Sequence, residues 1–386
     1  MAIELKNRVH TMKNLHYRNV FAEAGFAQAE IEERLQSCFH EIFYGLDRFY
    51  HEAGADKAYI EDTGNHDVRT EGMSYGMMMC VQMDRKAAFD RLWKWAKTYM
   101  YMTEGINRGY FAWSVSPKGI PNAAGPAPDG EEYFAMALFF AAHRWGNGEG
   151  IFDYEAEARQ LLRICLHKGE QGEGGRPMWD PDTKLIRFVT ELDFTDPSYH
   201  LPHFYELFAL WADEADRPFW KAAAHASRAY WVKACHPVTG LCAEYADREG
   251  RPQKTDPSHF GGRHDWYYSD AYRTIFNIAL DAVWFGRSPW ARDEANRLQK
   301  FFCETVRDND RAIYEVDGTV LPLPALHPVA ITATNAAASL AADGPWAEEC
   351  VRRFWETPLR TGERRYYDNC LYFFAFLALS GNYRIY

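Results

Sequence analysis

Polar residues recur every three or four positions in some stretches of the chain and almost vanish from others, and the two kinds of stretch alternate. Charge-rich amphipathic helices are predicted near 28–51, 85–101, 153–168, 217–235, 289–306 and 345–356. Between them lie segments apolar on nearly every side, near 71–82, 131–145, 202–213, 270–285, 328–341 and 367–380. A helix with one apolar stripe belongs at the surface, and one that is apolar all round must be buried. Six alternations of the two predict an inner ring wrapped by an outer ring, an all-α (α/α)6 barrel. No Pro/Ser-rich linker or composition break divides the chain, so residues 1–386 read as a single domain.

The connections are unequal. From apolar to amphipathic helix they are short, as in "MDRK", "DEADRP", "GRSP" and "DGP". In the other direction they are long and carry strand and turn signals: "RGYFAWSVSPKG", "RPMWDPDTKLIRFV", "GLCAEYADREGRPQ" and "YEVDGTVLPL". Successive antiparallel helices then gather every long connection on one rim, where the inner helices begin. That rim is the expected place for a cleft and its short hairpins.

Polar residues stand at these starts. They are Glu71 in "RTEGMSYG", Asp129 in "GPAPDGEEYF", Tyr199 and His203 in "DPSYHLPHFYE", Asp270 in "WYYSDAYRT", His327 in "ALHPVAIT", and Tyr366 with Asp368 in "RRYYDNCLYF". Trp113, Trp179 and Trp266 come from the loops before them. Acids at helix starts serve routinely as caps and dipole partners. A cap, however, needs no tryptophans, tyrosines or arginines around it, and three carboxylates heading very apolar helices read as a shared cleft. Rings for stacking on sugar faces and carboxylates for hydroxyls are what a sugar-binding cleft requires.

Glu71 precedes an apolar helix, so desolvation would raise its pKa and suit it as an acid. Asp270, among Tyr267, Tyr268, Tyr272 and Arg273, would be held ionised by hydrogen bonds and a cation and suit it as a base. Two carboxyls with pKa values pushed apart are the requirement of glycoside hydrolysis. Asp265 is a competing candidate for the base. Arg69 and Arg273 read either as partners of these acids or as substrate contacts.

Composition narrows the partners. The net charge is −11 and no Lys/Arg block occurs, which disfavours nucleic acid and acidic polymers. Aromatics make up 16 %, including 13 Trp and 23 Tyr, in keeping with a neutral, stackable ligand. No window has the ~18 apolar residues needed to span a membrane, and the amino terminus lacks an apolar core of signal-peptide length. The eight cysteines are scattered singly, so a reduced, cytoplasmic monomer is expected. His203 and Glu206 lie three apart, but no second pair supports a metal site, and no cofactor motif is present. Met77 to Met79 read as core.

The strings "DVRTEGMSYGMMM", "GPAPDGEEYF", "DPSYHLPHFYELF", "SDAYR" and "RRYYDNCLYFFAFLALSGN" resemble glycoside hydrolase family 8. Within it they resemble the exo-oligoxylanases that release xylose from the reducing end, with the likeness running from about residue 15 to 386. The resemblance implies an (α/α)6 barrel and inversion at the anomeric carbon of β-1,4-xylo-oligosaccharides. It implies Glu71 as general acid, Asp270 as general base, Tyr199 as holder of the attacking water and Asp129 as the acid that binds and distorts the sugar. Trp113 and Trp179 are implied as stacking residues, with Arg69, Tyr272, Arg273, His327 and Tyr366 as further substrate contacts. "ALHPV", from Leu326 to Pro328, matches a loop that closes the far side of the cleft beyond one sugar. "RPQKTDPSHFGGRHDWYY" is longer than the subgroup's approach to the base, which leaves the roles of His264 and Asp265 open. An endo-acting xylanase or glucanase, a sugar epimerase using His203 and His327, and a non-catalytic sugar binder are the alternative readings.

Overall fold

The computed structural model describes residues 17–256, 263–286 and 289–386. Its outer helices are α1 (Gln28–Tyr44), α3 (Lys86–Tyr99), α5 (Tyr154–His167), α7 (Arg217–Ala234), α9 (Trp290–Lys300) and α11 (Ala347–Glu356). Its inner helices are α2 (Thr70–Gln82), α4 (Pro128–Trp145), α6 (Pro202–Trp211), α8 (Tyr272–Phe285), α10 (Pro328–Ala337) and α12 (Arg365–Leu379). Burial follows the pattern of the sequence. Every residue of α2 but Glu71 is buried, whereas α11 buries only Cys350, Val351 and Phe354. Each fully buried large side chain contributes roughly 1.5–3 kcal/mol, so the inner helices carry most of the driving force.

Each inner helix packs on the next, from α2 through α4, α6, α8 and α10 to α12, and α12 closes back on α2. The outer helices α3, α5, α7, α9 and α11 each cover the inner helix before them, and α1 covers α12. The molecule is an (α/α)6 barrel. Proline occupies the first turn of α4, α6 and α10, where its missing N–H costs no hydrogen bond. Among the described residues no helix is long and apolar enough to cross a membrane. All eight cysteines are buried and unbridged.

The long connections do carry the hairpins. β1 (Tyr50–Ala53) pairs antiparallel with β2 (Lys57–Ile60), and β3 (Val68–Arg69) with β4 (Ser114–Val115). β5 (Trp266–Tyr267), β6 (Ala312–Glu315) and β7 (Val320–Pro324) form one small antiparallel sheet. Boundaries differ from expectation in four places. Helix α1 stops at Tyr44 instead of reaching 51, because Gly45 turns to extended backbone as its C-cap and the chain enters β1 at Tyr50. α9 ends at Lys300 and widens into a π-turn over Phe301–Thr305, and α10 gives way to a 3-10 turn at Ala338–Leu340. Asp270 lies in a 3-10 turn, Ser269–Ala271, just ahead of α8 rather than on it. Residues 257–262 of the long approach to Asp270 lie outside the described residues.

Candidate active site

The starts of the inner helices surround a cavity of about 210 Å³ lined by Arg69, Thr70, Glu71, Trp113, Ala127, Asp129, Phe188, Val189, Tyr199, Tyr245 and Asp270. Local sequence explains how the acids reach it. Arg69, in extended conformation on β3, precedes the helix without a side-chain cap, so Glu71 falls in the first turn of α2. Its carboxylate does not cap. Oε1 accepts a hydrogen bond from the Tyr366 hydroxyl at 2.7 Å, and Oε2 accepts one from Arg273 Nη1 at 3.0 Å. Gly72 admits that tyrosine, since a Cβ there would lie 2.6 Å from the hydroxyl oxygen. Gly130 likewise lets α4 approach α2, because its Cβ would meet Thr70 Cβ at 2.4 Å.

One buried guanidinium organises the acids. Arg273 Nη1 also donates to Asp129 Oδ2 at 3.1 Å and to the Tyr75 hydroxyl at 2.9 Å. Its Nη2 lies 3.2 Å from Asp270 Oδ1 and 3.9 Å from Asp196 Oδ2. Several carboxyls thus share one fixed positive charge, and protons must make up the difference. Burial pushes the Glu71 carboxyl up to about 8, with Arg273 opposing and Asp129 and Asp270 adding to the rise. Burial also raises Asp129 to about 6, against the pull of Arg273. Side-chain exposure ranks the three as Asp270 at 22 %, Glu71 at 14 % and Asp129 at 9 %. The site therefore holds a proton on Glu71 at neutral pH and presents Asp270 as its most open carboxylate.

Glu71, Asp129, Tyr199, Asp270, Arg69 and Trp113 all line the cavity. Trp113 is 37 % exposed, and the Arg69 guanidinium stands 5.2 Å from its ring centre while bridging to Asp62 and Asp67. Arg273 is buried beneath the acids, its guanidinium 5.4 Å from the Tyr199 ring.

Four expected contacts are placed differently. Trp179 is only 1 % exposed and packs between Tyr205 and Trp220, so no sugar can stack on it. Tyr272 is buried against Tyr267 at the head of α8. Tyr366 is buried and spends its hydroxyl on Glu71. His327 does not line the cavity; its Nδ1 lies 3.0 Å from Asp368, which also receives the Ala330 N–H at 2.7 Å and the Arg360 guanidinium. The resemblance that implies binding roles for Trp179 and Tyr272 matches residue type, which does not tell a core ring from a cleft ring.

His203 is fully buried against Phe204 and Trp284 and lines no part of the cavity, so the two histidines of the epimerase reading do not meet there. Asp265 is paired with Arg263 at 2.7 Å and is likewise not among the lining residues, which favours Asp270. Sequence reasoning passed over Asp196, Glu244, Tyr245 and Tyr367. Asp196 opens the "DPSY" string already singled out for Tyr199, and its place before Pro197 was the available signal.

An (α/α)6 barrel with a high-pKa acid facing a second carboxylate at its open rim defines a glycoside hydrolase. The chain belongs to the glycosyl hydrolases family 8, whose model matches residues 46–381. It is 58 % identical over 372 residues to the reducing-end xylose-releasing exo-oligoxylanase Rex8A of Paenibacillus barcinonensis, covering 96 % of this chain and 97 % of the relative. It is 52 % identical over 387 residues to a reducing end xylose-releasing exo-oligoxylanase of Bifidobacterium adolescentis, covering 98 % and 100 %. The structure of Rex8A complexed with xylose matches with a TM-score of 0.93 at 57 % identity, over 96 % of this chain and 97 % of that one.

Proposed function

We propose that the protein is an inverting glycoside hydrolase that acts on β-1,4-xylo-oligosaccharides and releases xylose from the reducing end. The observation that carries this reading is the pair of carboxyls bridged by one guanidinium, Glu71 at 3.0 Å and Asp270 at 3.2 Å from its two terminal nitrogens. That bridge keeps Glu71 Oε2 and Asp270 Oδ1 within about 8.5 Å of each other, an upper bound that admits the ~6.5–9.5 Å of an inverting pair and also the ~5–5.5 Å of a retaining one, so inversion rests on the family match.

Glu71 gives its proton to the glycosidic oxygen as the bond to the anomeric carbon breaks. Asp270 takes a proton from the water whose oxygen attacks that carbon from the opposite face, and the product has inverted configuration. Tyr199 holds the water, Asp129 grips and distorts the sugar beside the cleaved bond, and Trp113 offers a ring for stacking. Arg69 steadies that ring, and Arg273 balances the acids. Leu326 to Pro328 close the cleft beyond one xylose, with His327 anchored by Asp368. The chemistry uses water and two carboxyls and requires no metal or cofactor. Residues 1–386 act as one catalytic domain, a reading supported by the unbroken match over 46–381 and the closed inner ring. Eight unbridged cysteines support a reduced cytoplasmic setting, and the enzyme is taken to work as a monomer, which cell fractionation and sizing would test.

A proton NMR time course of xylotriose hydrolysis tests the reading. Xylobiose appearing first as its α-anomer beside free xylose is the expected result. α-Xylose appearing first would mean cleavage from the other end, and cleavage inside longer chains would mean an endo-acting enzyme.

A further inference from the structure

Of the three acids that line the cavity, Asp270 is the one that no regular helix carries. It sits at the centre of the Ser269–Ala271 turn, and Ser269 before it has φ +35°. A residue with a Cβ keeps that left-handed conformation only where its surroundings enforce it. Two side chains, one from a connection and one from the head of an inner helix, supply the enforcement.

Glu244, buried in the connection between α7 and α8, accepts the Asp270 N–H on Oε1 at 3.3 Å, while its Oε2 lies 2.5 Å from His264 Nδ1. Tyr367, in the first turn of α12, places its hydroxyl 3.1 Å from the Ser269 carbonyl oxygen and 3.4 Å from Asp270 Oδ1. Its ring is itself fixed, packed at 4.8 Å against the His327 imidazole and 6.0 Å from the Arg273 guanidinium. The amide of Asp270, the carbonyl before it and its carboxylate are therefore gripped from two sides. Neither Glu244 nor Tyr367 lines the cavity.

We infer that Glu244 and Tyr367 are positioning residues for the base, holding the strained turn so that the Asp270 carboxylate faces the attacking water. The inference rests on the assignment of Asp270 as base. It separates from a purely structural role, because misaiming a base slows turnover and leaves sugar binding in place.

The experiment compares Glu244→Ala, Glu244→Gln, Tyr367→Phe and Asp270→Asn with the parent on xylotriose, with affinity measured by calorimetry. Glu244→Ala and Tyr367→Phe are each expected to lower kcat about ten-fold or more, with KM and affinity within about two-fold. Glu244→Gln is expected to keep most of kcat, since its amide oxygen still accepts the Asp270 N–H. Full kcat in Tyr367→Phe would overturn the inference. So would equal damage in Glu244→Gln and Glu244→Ala, or a loss confined to KM. Should Glu244→Ala fail to fold, Tyr367→Phe, which removes a single oxygen, decides. Activity surviving in Asp270→Asn would instead remove the base assignment itself.

Discussion

The head of α2 and the turn before α8 face each other across one cavity and treat a carboxyl in opposite ways. Glu71 rides on a regular helix whose other residues are all buried, and burial drives its pKa up to about 8. Asp270 projects from a strained turn, is more open to solvent, and has the Arg273 guanidinium at 3.2 Å and the Tyr367 hydroxyl at 3.4 Å from one carboxylate oxygen. The two acids differ little chemically. What separates a proton donor from a proton acceptor here is the backbone beneath each and the water around it.

The largest effects come from breaking either member of that pair. Glu71→Gln and Asp270→Asn are each expected to cut kcat/KM on xylotriose by roughly 10²–10⁴-fold, with calorimetric affinity nearly unchanged. Retention of most activity by both would dissolve the contrast altogether.

Arg273 is the element the two regions share. Arg273→Met leaves buried acids without their cation and is expected to lower unfolding free energy by about 3–5 kcal/mol, measured by urea denaturation.

A pair of tryptophans asks whether exposure, rather than residue type, marks the sugar-binding side. Trp179→Ala should cost about 3–5 kcal/mol of stability through an interior cavity. Trp113→Ala should leave the melting temperature in place and raise KM about ten-fold through loss of a stacking ring.

The pH dependence sharpens the Glu71 side. Glu71 works in its protonated form, so kcat/KM should fall as pH rises through about 8. The Tyr366 hydroxyl stabilises the ionised form, so Tyr366→Phe should move that alkaline limb upward by a unit or less, about the strength of one hydrogen bond. A downward movement would contradict the geometry. The smallest effect is expected from Asp265→Asn, which removes a partner of Arg263 and should change kcat/KM by less than about two-fold.

The alternation of amphipathic and wholly apolar segments was enough to place the inner and outer rings, because a helix with no polar face has no stable position except in the interior. The same pattern located the open rim, since antiparallel neighbours leave all long connections on one side. Glu71, Asp129, Tyr199 and Asp270 were legible as residues at helix starts, and Trp113 as a ring in a rim loop. Strings of that length also carried the family.

Tertiary structure alone decided which polar groups meet. Arg273 reaches an acid 202 positions away in the chain, and no local periodicity encodes such a contact. It decided that Trp179 and Tyr272 are core while Trp113 is exposed, because a ring's burial depends on the helices that close over it. It also decided that Glu71 is no helix cap: its oxygens point to Tyr366, brought there by the closing of α12 onto α2, and to Arg273 on α8. Sequence periodicity reports the surroundings of a segment along its own axis, whereas proton affinity answers to charges and solvent that arrive from every other element.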